Sequence, residues 1–139
     1  MVAHILSARG MSSALDGKLL ISICAGVKTS DLQSLVPPST RVVRVMPNTA
    51  AKLRESMTVI SPSPQVTAQE RDMVVWVFNQ IGRTLVLDEK HMDTATALCG
   101  SGPAFFALVV EAMADGGVMM GVPRQESVTM VAQSMFPPT

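Results

Sequence analysis

Apolar positions along the chain gather into short runs separated by turn residues, and the runs alternate between helical and strand-like spacing. Val2, Ile5, Leu6 and Met11 are loosely helical, and Asp16-Gly17 then turns the chain. Residues 19–23 are almost wholly apolar and end at Ala25-Gly26, the pattern of a parallel strand buried on both faces. Ser30 with Gln33 three residues later reads as a capping box, opening a helix through Leu35 that Pro37-Pro38 stop. Residues 41–45 form a second strand, closed by Met46-Pro47-Asn48-Thr49, and residues 58–60 a third, closed by Ser61-Pro62-Ser63-Pro64. A second capping box, Thr67 with Glu70, launches a helix with Met73, Val74, Val77, Phe78 and Ile81 on one face and Gly82 at its end. Residues 84–87 are a fourth strand, and Asp88 is placed to cap a short helix through about Ala97.

Strands alternating with helices across short loops predict an α/β fold with a mostly parallel sheet. After Leu87 the pattern is helical only, which divides the chain into residues 1–88 and residues 89–139. Within the second part, Gly100-Ser101-Gly102-Pro103 leads directly into an apolar run. Proline suits the first helical turn, because its fixed φ fits and its missing N–H would be unpaired there; Gly102 or Ser101 then takes the cap position. Residues 104–110 carry no charge, so this helix is expected to be covered by protein on nearly every side. A further helix is expected from Pro123 toward Met135, ended by Phe136-Pro137-Pro138.

Composition sharpens this picture in one respect. The 139 residues are 47% hydrophobic, with eleven methionines and no tyrosine, and the mean hydropathy is +0.33. A chain this apolar is expected to reserve surface for a partner. Lysine plus arginine equals aspartate plus glutamate at eleven each, so no basic stripe points to nucleic acid. No run of about 18 apolar residues stands out as a bilayer span, and the start has neither the blocks of a signal peptide nor the pattern of a transit peptide. Cys24 and Cys99 are isolated, which fits a reduced, cytoplasmic protein.

The chemistry is narrowed first by exclusion. His4 and His91 lack neighbours at metal-ligand spacing, so no metal site is expected. There is no Walker-type loop, no Gly-x-Ser-x-Gly elbow and no Gly-x-Gly-x-x-Gly after a strand. What remains are loops at strand ends, where open α/β sheets hold their ligands. Cys24-Ala25-Gly26, Met46-Pro47-Asn48-Thr49 and the turn from Gly100 to Pro103 are each small or rich in backbone polar groups. Glycines let a ligand approach the backbone, and a helix's first N–H groups attract anions. The same turn also reads as an ordinary start to a core helix.

The blocks Ile21-Ser22-Ile23-Cys24-Ala25-Gly26-Val27, Arg44-Val45-Met46-Pro47-Asn48-Thr49 and Leu98-Cys99-Gly100-Ser101-Gly102-Pro103-Ala104-Phe105 keep the order and spacing of a known family. With Glu111-Ala112-Met113-Ala114-Asp115-Gly116-Gly117-Val118 and Met120-Gly121-Val122-Pro123-Arg124, they resemble pyrroline-5-carboxylate reductase. The resemblance implies the C-terminal half of a Rossmann-like sheet followed by the first helices of an all-α dimerisation domain. It implies an enzyme that uses NADPH or NADH to reduce the imine of 1-pyrroline-5-carboxylate to L-proline, the last step of proline biosynthesis, and a homo-oligomer formed through the helical region. By position, Ile23, Cys24 and Ala25 touch the cofactor, while Met46, Pro47, Asn48, Gly100, Ser101 and Gly102 line the substrate crevice; no catalytic acid is assigned. Cys24, Cys99 and Phe105 replace the alanine, serine and tyrosine usual in the family. The family's glycine fingerprint and its Ser-x-Pro-Gly-Gly-x-Thr substrate loop are not found in these 139 residues. The chain is therefore expected to be a truncated form, inactive alone. Two other readings are a non-catalytic fragment that associates with full-length subunits and a reductase of the same superfamily acting on another compound.

Overall fold

In a computed structural model, which describes residues 1–135, the chain forms two compact units, Met1–Gly100 and Ser101–Thr139. The first holds a four-stranded sheet in the order β1 (Leu19–Ser22), β2 (Arg41–Met46), β3 (Ser56–Pro62) and β4 (Gly82–Val86). β1 pairs with β2 and β3 with β4 in parallel, whereas β2 and β3 run antiparallel. The sheet is thus mixed, with two of its three pairings parallel.

The helices of this unit follow the apolar pattern with several shifts. The opening segment is two short helices, α1 (Val2–Leu6) and α2 (Met11–Leu15), parted by Gly10 in the left-handed region. Next, α3 (Thr29–Ser34) begins two residues earlier than a Ser30–Gln33 capping box requires. Ser30 lies inside its first turn and Gln33 Nε2 donates to the Thr40 carbonyl, so that box does not form. The Thr67–Glu70 box does form, at the start of α4 (Ala68–Asn79). The buried stripe of α4 is narrower than the sequence pattern: Val74, Val75 and Phe78 pack on the sheet, while Met73 and Val77 are about half exposed. After β4 come a 3₁₀ turn (Glu89–His91), α5 (Met92–Ala95) and a π-helical turn (Thr96–Gly100), one helical connector rather than a helix ending near Ala97. Asp88 sits at its N-cap position but makes no capping bond.

Strand β2 is the centre of the core. Its odd residues Val43 and Val45 pack with Ile60 and Val74 beneath α4. On the other face, Val42 meets Leu32 and Val36 from the α3 side, and Met46 meets Met92 and Ala95 of α5. Burial on both faces explains the near-continuous apolar run of this strand.

Gly82 opens β4 rather than ending α4. Its φ is +147°, and a Cβ there would collide with the Ser56 backbone, so only glycine lets the two strands meet.

The second unit is a helical hairpin of α6 (Gly102–Met119) and α7 (Arg124–Met135), with Pro103 in the first turn of α6. Ser127 Oγ donates to the Ala114 carbonyl at 2.8 Å beside Gly117, whose missing Cβ admits the serine. Arg124 bridges to Asp115 and Glu111, and these two bonds, Asp115 first, raise its pKa further. Within α6 only Ala114 is buried. Phe105, Phe106, Leu108 and Met113 are all more than half exposed, so the described residues do not supply the cover expected for this helix. The helical stretch Glu89–Met119 is also long and apolar enough to cross a bilayer by length and composition, contrary to the sequence expectation, with a mean hydropathy of 1.6 over 18 residues. A helix built to be covered by protein passes the same test. The expected stop at Phe136-Pro137-Pro138 lies outside the described residues.

Replacing Gly82 with alanine is expected to destabilise the sheet unit by about 3 kcal/mol, the cost of strain at a special φ plus a backbone clash. Urea unfolding should show this, with Gly100→Ala, whose Cβ would lie an ordinary 3.5 Å from Met46 Sδ, close to wild type.

Candidate functional site

The parallel pairing of β1 and β2 places their C-terminal ends at one edge of the sheet. The last paired residues are Ser22 and Arg44, so Cys24 and Met46 each lie two residues beyond the same rung. Past β1, Ile23 is 64% exposed, Ala25 and Gly26 are exposed, and the Cys24 amide donates to Ser22 Oγ at 3.3 Å. Ile23 and Cys24 also line an apolar cleft of about 220 Å³ with Leu20, Ile21 and residues of α1.

Past β2, Asn48 organises the turn. Its side-chain oxygen accepts from the Ala50 amide at 3.1 Å, capping a 3₁₀ turn over Thr49–Leu53, and its own amide donates to Ser56 Oγ. Asn48 Nδ2 donates to the Cys99 carbonyl at 3.0 Å. A second tie joins the same two segments: Thr96 Oγ1 contacts Met46 Sδ at 2.8 Å while bonding the Met92 carbonyl. Gly100 lies beside Met46, since a Cβ placed on it would stand 3.5 Å from the sulfur. Met46, Asn48 and Gly100 are therefore brought together where the loop after β2 meets the end of the connector, and Pro47 stands between the first two. Ser101 and Gly102 begin α6 in the second unit; the Ser101 side chain makes no cap bond, and open space faces the position where Gly102 lacks a Cβ.

The polar side chains at this junction, Asn48, Ser56 and Thr96, are neutral. They can hold and orient a small molecule, but they offer no general acid. Among the described residues, no three His, Cys, Asp or Glu side chains are grouped to hold a metal.

A second polar cluster lies on the same face, closer to the middle of β2. The Arg44 side chain is 3% exposed and reaches Glu89 Oε1 at 2.7 Å, with Asp93 at 3.9 Å. The Glu89 carboxylate also accepts the Thr29 hydroxyl and, at 3.4 Å, the Thr29 amide, so it stands at the start of α3 where a capping side chain would be. Burial pushes the Glu89 pKa up, yet the bonds from Thr29 and Arg44 outweigh it and hold the carboxyl below its ordinary value. Sequence reasoning missed this cluster. An arginine inside an apolar strand was its one visible trace; its partner lies 45 positions away. Beside it, a cleft of about 400 Å³ runs between α3 and the Pro62-Ser63-Pro64 turn. It is larger than the strand-end cleft, but it does not lie where two parallel strands end.

Residues 89–137 match the family described as pyrroline-5-carboxylate reductase dimerisation. Over most of its length the chain is similar to pyrroline-5-carboxylate reductases: it is 53% identical over 131 residues to that of Schizosaccharomyces pombe, covering 94% of this chain and 46% of the relative. Identity to the Arabidopsis thaliana enzyme is 41% over 119 residues, covering 86% and 43%. A crystal structure of the Plasmodium falciparum pyrroline carboxylate reductase with NADP bound superposes with a TM-score of 0.90 at 34% identity, over 96% of this chain and 53% of that one. The Streptococcus pyogenes enzyme gives 0.83 at 30% identity, over 89% and 49%. The chain thus spans about half the length of the curated relatives it matches, and within that span it is similar to pyrroline-5-carboxylate reductases in sequence and in fold.

The sign of the Glu89 shift fixes a pH dependence. A carboxyl whose folded pKa is depressed adds stability that is present above its unfolded value of 4.5 and is lost as pH falls through the folded one. Between pH 6 and about pH 3, urea midpoints are expected to fall less steeply for Glu89→Gln than for the parent chain.

Proposed function

We propose that this chain carries part of an NAD(P)H-dependent pyrroline-5-carboxylate reductase: the wall of the site that holds the nicotinamide and the imine, and the helices through which two subunits join. One observation supports the reading: Asn48 bonded to the Cys99 carbonyl locks the loop after β2 against the end of the connector, beside the sheet edge where β1 and β2 end, and this is where the proposal puts the substrate crevice.

The residues present fit one end of a dinucleotide. Exposed Ile23, with Cys24 and exposed Ala25 beside it, gives a flat ring an apolar surface. No Gly-x-Gly-x-x-Gly turn is available for a pyrophosphate. When bound, the reduced nicotinamide would supply the hydride. The chain's own contribution is positional: Met46, Pro47 and Asn48 with Gly100 bound the space for a small ring. Orientation of this kind lowers a hydride-transfer barrier without a dedicated acid. NADPH and NADH both remain open as the donor.

The bare apolar side of α6 supports a homo-oligomer through the helical unit, in keeping with the matched dimerisation family. Cys24 and Cys99, both free, support a reducing, cytoplasmic setting.

The test is a chimera in which residues 1–135 replace the matching stretch of the Schizosaccharomyces pombe relative. It is expected to sediment as a dimer or higher oligomer and to oxidise NADPH or NADH when given pyrroline-5-carboxylate. The 139-residue chain alone is expected to give no turnover. A folded, oligomeric chimera with no turnover would contradict the reading, and turnover by the chain alone would overturn the need for the rest of the site. If only a different imine or a hydroxy acid is turned over, the substrate assignment is wrong. The non-catalytic reading would gain if the chain alone bound the full-length relative without restoring any function.

A further inference from the structure

The Arg44–Glu89–Thr29 cluster is not part of the crevice, yet it lies at the other end of the element that forms one wall of it. The connector starts at Glu89, crosses the sheet face on Met92 and Ala95, both buried, and ends at Gly100. Its last turn is π-helical, a widened turn that frees a carbonyl from the regular ladder. There the Cys99 carbonyl accepts from Asn48. Whether that oxygen meets Asn48 depends on where the connector begins and how it is rotated.

Glu89 settles both. Three donors converge on its carboxylate: the Thr29 amide, the Thr29 hydroxyl and Arg44. Two come from α3 and one from β2, so three elements meet at one side chain. Arg44 is almost wholly enclosed, and removing Glu89 leaves its buried cation with only the exposed Asp93 carboxylate at 3.9 Å. A connector so anchored is held at both ends, by charge at Glu89 and by an amide at Asn48, with Met92 packed between.

We propose that Glu89 is a positioning residue for the crevice: by pairing with Arg44 and binding Thr29 it fixes the start of the connector, which carries that placement to the Cys99 carbonyl and Gly100. The proposal rests on the proposed function only in taking this crevice as the substrate's place. Thr29 and Arg44 act through Glu89 and touch no ligand.

Hydrogen exchange of the 139-residue chain separates positioning from general stability. In Glu89→Gln and in Thr29→Val, amides of residues 93–100 are expected to exchange about tenfold faster, the effect of losing a bond to a charged group. Amides of α4 should stay within about twofold. Thr29→Ser, which keeps the hydroxyl, should match the parent throughout. In the chimera, Glu89→Gln should lower kcat about tenfold, with the KM for the nucleotide unchanged. Equal acceleration in the connector and α4, or none in either, would overturn the proposal. A parent chimera without turnover would remove the functional reading, while the exchange ratio would still decide whether Glu89 holds the connector.

Discussion

Strand β2 is covered on both faces, and most of what the sheet unit does follows from that constraint. Its odd residues are committed to the α4 side. Its even residues must each find a partner on the other side: Val42 finds α3, Met46 finds α5, and between them Arg44 has neither water nor an apolar neighbour to satisfy it. A guanidinium so enclosed is tolerable only with a carboxylate and further hydrogen bonds. Glu89 answers that demand from the first turn of the connector, and in doing so draws the connector across the sheet to the loop that follows β2.

This explains which parts of the fold were legible in the sequence. Burial on both faces writes a near-continuous apolar run, broken only by Arg44, so β2 could be read from residues alone; β1 was read from a similar run but is not buried on both faces as expected, since it is the edge strand, with Leu19 and Leu20 half-buried and Ile21 38% exposed. The Thr67–Glu70 box is a local device and was read correctly, since both partners lie within one turn. The same pattern at Ser30 and Gln33 misled, because the start of α3 is settled by Glu89, some sixty residues further on, and no local motif reports such a partner. Gly82 misled for a related reason: glycine after a helix commonly ends it, but here it answers the close approach of the Ser56 backbone from a neighbouring strand. The antiparallel step between β2 and β3 also left no trace in the apolar pattern.

The candidate site residues were singled out by similar means. Small residues at strand ends marked Met46, Asn48 and Gly100, and the structure joins them through Asn48 and Cys99. What the motifs did not disclose is why these loops stay where they are. Likewise the absence of charge in residues 104–110 announced a helix to be covered, without saying by what; the described residues leave Phe105, Phe106 and Leu108 open. That bare side and a crevice without a pyrophosphate turn agree with a chain that spans about half the length of the relatives it matches.

The proposed function requires that the place where β1 and β2 end receives the nicotinamide and the five-membered ring together. Methyl-labelled chimera, with NADP and L-proline bound, allows this to be read from nuclear Overhauser contacts. Nicotinamide ring protons are predicted to contact the Ile23 methyl groups and proline ring protons the Met46 methyl. Contacts confined to other methyl groups, such as those beside the cleft between α3 and the Pro62 turn, would contradict it.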